Sequence, residues 1–401
     1  MNKDCSRPLY TERIRPFIGS SVAKVLIGTR GSGKSSILKM IPPEKGSGAV
    51  FFDMGARSSV KFRDPDVLYG EIKKRMGDGK GMCLIIDEVQ MIRGWEDMIR
   101  SLIDEKCCDI YISGSDSKLL SSDTSTYLAG RTVSADVFTL TYSECIEFQR
   151  FYGRNEDPDY VMDRFLRVGG FPIIWSEDLD GSSAYNVLRG IESEAMLRDI
   201  QQHHCHRSAE LLDRIIDHLC DNLGRPMSVF GIFNSLRSED LDTSKNEVYA
   251  GIDHLLEACI ICRAETYDVR RKKVLRSGTK YYLSDIGMKS LLIGYREDGI
   301  SGVMENIIYL ELRSRGYRVW VGDVKGKEID FIAEKMRKKV YVQATFEMSS
   351  PDTAKREYSP LREIDDNFPK YVVVMKENPF FGDSDGIRCV LLKDFLLSKD
   401  Y

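Results

Sequence analysis

Residues Lys24–Ser36, KVLIGTRGSGKSS, state a strand, a sharp glycine turn and a helix start in one short stretch. Val25, Leu26 and Ile27 form an apolar run suited to a strand buried on both faces of a parallel sheet, and Gly28 breaks it where the chain must turn. The next residues, Gly28, Thr29, Arg30, Gly31, Ser32, Gly33, Lys34 and Ser35, fit the spacing G-x-x-x-x-G-K-[ST]. Glycines let backbone N–H groups curl around an anion without a Cβ clash, and the helix that follows turns its positive end toward it. The stretch from Gly28 to Ser36 therefore reads as a phosphate cradle with ATP as its expected ligand. Lys34 would reach the β- and γ-phosphates, and Ser35 would give a hydroxyl to Mg2+. A chance glycine-rich loop is the weaker reading, because this one sits between an apolar strand and the helix-like SSILKMI.

Working outward, Gly48–Asp53 reads as a second strand, Val67–Arg75 as a helix, and Met82–Glu88 (MCLIIDE) as a third strand that ends in two acids. Carboxylates at the C-terminal end of such a strand lie on the edge where open α/β sheets bind ligands. Asp87 is the expected Mg2+ acid and Glu88 the group that polarises the attacking water. Asp109–Ser115 is a fourth strand with a polar exit, which offers Ser115 and Asp116 as γ-phosphate sensors. Val137–Thr141 reads as a fifth strand, and the alternation of strands and helices implies a doubly wound parallel sheet over residues 1–150. Arg131 is a candidate for stabilising a γ-phosphate, a role that can raise hydrolysis roughly 10³–10⁵-fold; a turn cap or a local ion pair is its alternative. Residues 1–20 read as a lead-in without chemistry.

At 401 residues the chain is long enough for more than one domain, and 42% apolar with 30% charged residues describes a globular protein. A net charge of −4 gives no global attraction to nucleic acid, so any such contact must be local. The ten cysteines are scattered, which suits reduced thiols and a cytoplasmic location, and no apolar run approaches membrane-spanning length.

The motifs GTRGSGKSS, LIIDEVQMIRGWE, DIYISGSDSKLLSS, YLAGR, Gly169-Gly170-Phe171-Pro172, Leu197-Arg198-Asp199-Ile200, Glu305-Asn306 and Glu328-Ile329-Asp330-Phe331 span nearly the whole chain. Together they resemble archaeal and bacterial AAA-like P-loop ATPases with a C-terminal domain of the DUF4143 type. The resemblance implies ATP hydrolysis and a helical lid after the GGFP element. Gly31 and Asp116 depart from that family's usual arginine and asparagine, which favours Ser115 over Asp116 as the sensor.

Residues 151–223 read as the helical lid region. The His203-His204-Cys205-His206 cluster within it reads as a polar inter-helix turn rather than a zinc site, since adjacent ligands converge poorly on a tetrahedral ion. Residues 224–295 read as a winged helix with a basic wing: Arg270, Arg271, Lys272, Lys273, Arg276 and Lys280 could contact DNA phosphates, while Glu247, Asp253 and Glu257 on the second helix favour a solvated or protein-docking wing. Cys259 and Cys262 read as buried thiols. Residues 296–401 resemble a PD-(D/E)xK nuclease core, with Glu305 and Asp330 as two of its acids. The third position reads Gln343-Ala344-Thr345, with neither acid nor lysine, so the expectation is a nuclease-like domain without nuclease activity. The whole is expected to be an ATP-controlled switch. DNA cleavage under ATP control, and a non-hydrolysing module that docks a protein partner or a second copy, are the rivals.

Overall fold

The structure, a computed structural model, describes residues 4–41, 48–77, 82–120, 128, 130–202, 208–275, 278–294, 299–377 and 379–401. It divides into two compact units, Met1–Phe138 with Glu257–Cys259, and Thr139–Leu256 with Ile260–Tyr401.

In the first unit, strands β1 (Ala23–Ile27), β2 (Ala49–Asp53), β3 (Cys83–Asp87), β4 (Asp109–Gly114) and β5 (Thr132–Asp136) form a parallel sheet in the order β2-β3-β4-β1-β5. Every residue of β1 and β3 is buried, because helices cover both faces. Val25, Ile27, Leu84, Ile86 and Ile112 pack on one face with Leu68 and Ile72 of one helix and Ile99 and Leu102 of another. Leu26, Ile85 and Tyr111 face the other way, against Tyr10, Ile14, Ile37 and Leu38. The helices are α1 (Pro8–Ile14), α2 (Lys34–Met40), α3 (Pro65–Met76) and α4 (Trp95–Asp104).

The fifth strand lies earlier than the apolar run Val137–Thr141 suggests. As an edge strand, β5 is mostly half-exposed and carries polar residues, whereas Val137, Phe138 and Leu140 form a buried connector. That connector still touches the sheet, since the Val137 amide donates to the Ile27 carbonyl.

The second unit begins with helices α5 (Tyr142–Phe151), α6 (Pro158–Val168), α7 (Pro172–Ser176), α8 (Gly181–Gln202) and α9 (Ser208–Asp221). Gly169 ends α6 at a φ of 71°, and a Cβ at Gly170 would lie 2.1 Å from the Leu140 carbonyl oxygen. Only glycine fits there. The Asp285 carboxylate accepts the Gly170 amide at 2.7 Å and the Gly287 amide at 2.8 Å, fixing the GGFP element from a distant segment.

Helices α10 (Val229–Ser238) and α11 (Lys245–Glu257) are followed by β6 (Ile261–Ala264), β7 (Thr266–Asp268), β8 (Lys273–Val274) and β9 (Lys280–Leu283). Strand β6 pairs with β9, but β7 pairs in parallel with β10 (Arg318–Val324). The segment expected to be a separate wing is thereby stitched into a sheet of order β14-β13-β12-β11-β10-β7-β8. This sheet also contains β11 (Lys327–Lys335), β12 (Lys338–Thr345), β13 (Lys370–Val374) and β14 (Ile387–Leu391). Helices α12 (Gly287–Ile293), α13 (Ile300–Ser314), α14 (Pro351–Arg362) and α15 (Leu392–Leu397) complete the unit. Helix α14 makes the crossover that lets β12 and β13 run parallel; the Ser350 hydroxyl accepts the Thr353 amide at its start. Strand β14 adds to the outer edge of β13.

Candidate functional site

Strand register collects the first group of residues. Ile27 lies beside Gly114 and Ile86 beside Ile112, so β1, β3 and β4 deliver Gly28, Asp87 and Ser113–Ser115 to one sheet edge. A Cβ at Gly28 would lie 1.9 Å from the Val137 carbonyl oxygen, and Gly31 and Gly33 have φ values of 78° and 94°, so the turn requires its glycines. Thr29 and Ser32 are buried, Arg30, Ser35 and Ser36 are half-buried, and the Ser32 hydroxyl has no hydrogen-bond partner among the described residues. Lys34 folds back into the turn, where its ammonium donates to the carbonyls of Gly28 at 2.9 Å and Thr29 at 3.0 Å.

Asp87 is buried at the end of β3 and accepts the Ser113 hydroxyl. Glu88 sits in the left-handed region at φ 58°, a conformation uncommon outside glycine. Its amide donates to Ser113 Oγ at 3.3 Å, and its Oε2 accepts both the Ser115 hydroxyl at 3.0 Å and the Gln90 side-chain amide. Gln90 Nε2 also donates to Ser115 Oγ at 3.0 Å. Asp116 is engaged elsewhere: its carboxylate accepts the Lys118 amide at 2.7 Å in the following turn.

Two residues here carry no local signal in the sequence. Gln90 closes the Glu88–Ser115 pair. Arg7, 2% exposed, donates from Nη1 to the Ser32 carbonyl at 2.6 Å and from Nη2 to the Phe138 carbonyl at 3.0 Å, so the lead-in segment grips the cradle.

Arg131 is not brought to this edge of its own chain. Its carbonyl accepts the Ala23 amide at the start of β1, about 16 Å along the strand from Gly28, and its guanidinium pairs with Asp104.

A second group lies within the C-terminal unit. Glu305 of α13, Asp330 of β11 and Gln343 of β12 do converge, but the cation among them is Lys280 of β9. Its ammonium lies 2.9 Å from Glu305 Oε2, 2.7 Å from Glu328 Oε1 and 3.4 Å from Asp330 Oδ1. Gln343 donates to Glu357 Oε2 at 3.0 Å and accepts the Asp330 amide at 3.4 Å. Burial, then the neighbouring Asp330 charge, push the Glu305 carboxyl up to about 8. Burial alone would lower the Lys280 ammonium, but Asp330, Glu305 and Glu328 outweigh it and hold the group above its ordinary value.

Arg270, Arg271, Lys272 and Lys273 are exposed where β7 turns into β8, and Asp268 accepts the Arg271 amide at 2.9 Å. Arg276, the His203–His206 cluster, Tyr127 and Ala129 lie outside the described residues, as do the side chains of Leu197–Ile200. No helix among the described residues is long and apolar enough to cross a membrane.

Comparisons with known proteins bear on the fold of the chain. Residues 20–146 match the family model described as AAA domain, and residues 161–299 match one described as Domain of unknown function (DUF8612). The first match supports a P-loop ATPase fold over residues 20–146. Among solved structures, the chain is similar to the Walker-type ATPase of Pyrococcus abyssi, with a TM-score of 0.51 at 15% identity over 72% of this chain and 96% of that one. An uncharacterized protein of Haemophilus influenzae is 29% identical over 98% of both chains. Another, of Methanocaldococcus jannaschii, is 26% identical over 66% of this chain and 61% of its own. The matched model over residues 161–299 is not the DUF4143 type that the sequence motifs resemble.

Proposed function

We propose that the protein is a Mg2+-dependent ATPase whose nucleotide state controls its C-terminal unit. The observation that carries the reading is the register of β1, β3 and β4, which sets the cradle, Asp87, Glu88 and Ser115 on one edge. The cradle suits a phosphate: its first position takes only glycine, because a Cβ at Gly28 would meet the Val137 carbonyl, and the buried Ser32 hydroxyl has no hydrogen-bond partner among the described residues. Ser35 and Asp87 would hold Mg2+, which when bound offsets phosphate charge. Lys34 would exchange the carbonyls of Gly28 and Thr29 for phosphate oxygens. Glu88 would orient the attacking water, and Ser115, already bonded to Glu88, would report the γ-phosphate. Arg131, at the opposite edge, would serve only the cradle of a second copy.

The C-terminal unit is nuclease-like without the chemistry, since Gln343 takes the place of an acid and is used as a hydrogen-bond bridge to Glu357. The exposed run Arg270–Lys273 favours a second reading, in which this unit contacts DNA through phosphates. Phosphate release from ATP, measured with and without DNA at several salt concentrations, tests both. Turnover that DNA stimulates at low salt supports both readings, turnover indifferent to DNA removes the second, and no turnover under any condition removes the first.

A further inference from the structure

The buried ion cluster of the C-terminal unit poses a question that the ATPase leaves untouched: what is a lysine doing between three carboxylates? Lys280 is 1% exposed and reaches Glu305, Glu328 and Asp330 within 3.4 Å. It enters from β9, a strand outside the sheet that carries Glu328 and Asp330. Those two acids, Glu305, Gln343 and Glu357 line a cavity of about 540 Å³. The acids therefore face solvent on one side and a tethered cation on the other.

We propose that the Lys280 ammonium stands in for a divalent cation: it closes the acid centre to metal, and removing it converts the centre into a divalent-cation site. Hard divalent ions bind oxygen clusters of this kind, with carboxylates from separate elements and water completing the shell. An ammonium supplies one charge and three donors, which match the three carboxylates it meets. Asp330 Oδ2 accepts the Ala344 amide at 2.8 Å, and Glu305 Oε2 also accepts the Tyr282 hydroxyl at 3.1 Å. Take the ammonium away and buried carboxylates are left uncompensated, a costly state that a divalent ion entering through the cavity relieves. The inference rests on reading this unit as a nuclease-like core without activity.

The test is Mn2+ binding to the full chain without nucleotide, counted by electron paramagnetic resonance in an Asp87→Asn background that silences the P-loop site. Lys280→Met should gain one Mn2+ per chain relative to the parent, and adding Asp330→Asn should remove that gain. Lys280→Gln, which keeps a donor and loses the charge, should behave alike and serves if the Met variant does not fold; Lys280→Arg should gain nothing. Two results overturn the inference: a parent protein that already holds Mn2+ in a manner sensitive to Asp330→Asn, or folded neutral variants that gain none. DNA cleavage by the wild type in Mn2+ that Asp330→Asn abolishes would overturn the inactive-nuclease reading itself. Gain of Mn2+ without cleavage by the wild type supports both.

Discussion

Ser115 donates a 3.0 Å hydrogen bond to the Glu88 carboxylate although the two residues leave different strands of the sheet. A carboxylate held in this way is oriented before any substrate arrives. Glu88→Gln keeps an oxygen to accept from Ser115 but loses the charge that polarises water, so turnover should fall about 10²–10⁴-fold while ATP affinity is retained. Ser115→Ala leaves the carboxylate charged and less fixed, and should cost about 1 kcal/mol, roughly fivefold in turnover. Steady-state phosphate release and equilibrium binding of a fluorescent ATP analogue separate the two effects.

Arg7 should matter to the cradle out of proportion to its place in the lead-in segment. Arg7→Ala leaves the Ser32 and Phe138 carbonyls without their donor, at about 1–3 kcal/mol for each buried unsatisfied group. ATP affinity should drop together with thermal stability. Arg7→Lys, which cannot span both carbonyls, should restore only part of each.

The GGFP element tests the fold of the C-terminal unit. A Cβ at Gly170 meets the Leu140 backbone, so Gly170→Ala should destabilise by about 3 kcal/mol or more, as overpacking does where the backbone cannot give. Gly190 in α8 has nothing within 4 Å of its Cβ position, and Gly190→Ala should stabilise by about 0.5–1 kcal/mol. Urea denaturation of the two variants should move in opposite directions from wild type.

Asp285 predicts a pH dependence. Burial raises its carboxyl to about 6, against the opposing hydrogen bonds from Thr139, Gly170 and Gly287. The native state therefore holds a proton that the unfolded chain has released. The associated stability is fully present below the unfolded value near 4 and is lost as pH rises through about 6, roughly 3 kcal/mol in all. The stability difference between wild type and Asp285→Ala should shrink between pH 4 and pH 7; a difference that grows over that range contradicts the assignment.

The cradle and the third and fourth strands were legible because the signals are local: a contiguous motif, and apolar runs that parallel strands need when buried on both faces. Strand β5 was not, because an edge strand half-exposed to solvent reads as polar while the connector after it reads as a strand. Strand β14, with an exposed Arg388, was missed at the other sheet's edge for the same reason. The roles of Arg7, Asp285 and Lys280 were invisible because their partners lie far along the chain, Phe138 for Arg7, Gly170 for Asp285, and Asp330 for Lys280, which lies in the acid cluster rather than on the basic wing. Nothing in their neighbouring residues encodes those meetings. Gln90 lies close to Glu88 in sequence, yet its role depends on Ser115 arriving from β4.

Binding of Mg-ATP by wild type and Lys34→Ala, measured by isothermal titration calorimetry on the full chain, tests the central claim most directly. The Lys34 ammonium already lies inside the turn, held by the carbonyls of Gly28 and Thr29. The account predicts that wild type binds Mg-ATP and that Lys34→Ala loses at least about tenfold in affinity, the loss of one charge-assisted contact. Equal affinities in the two proteins would contradict it.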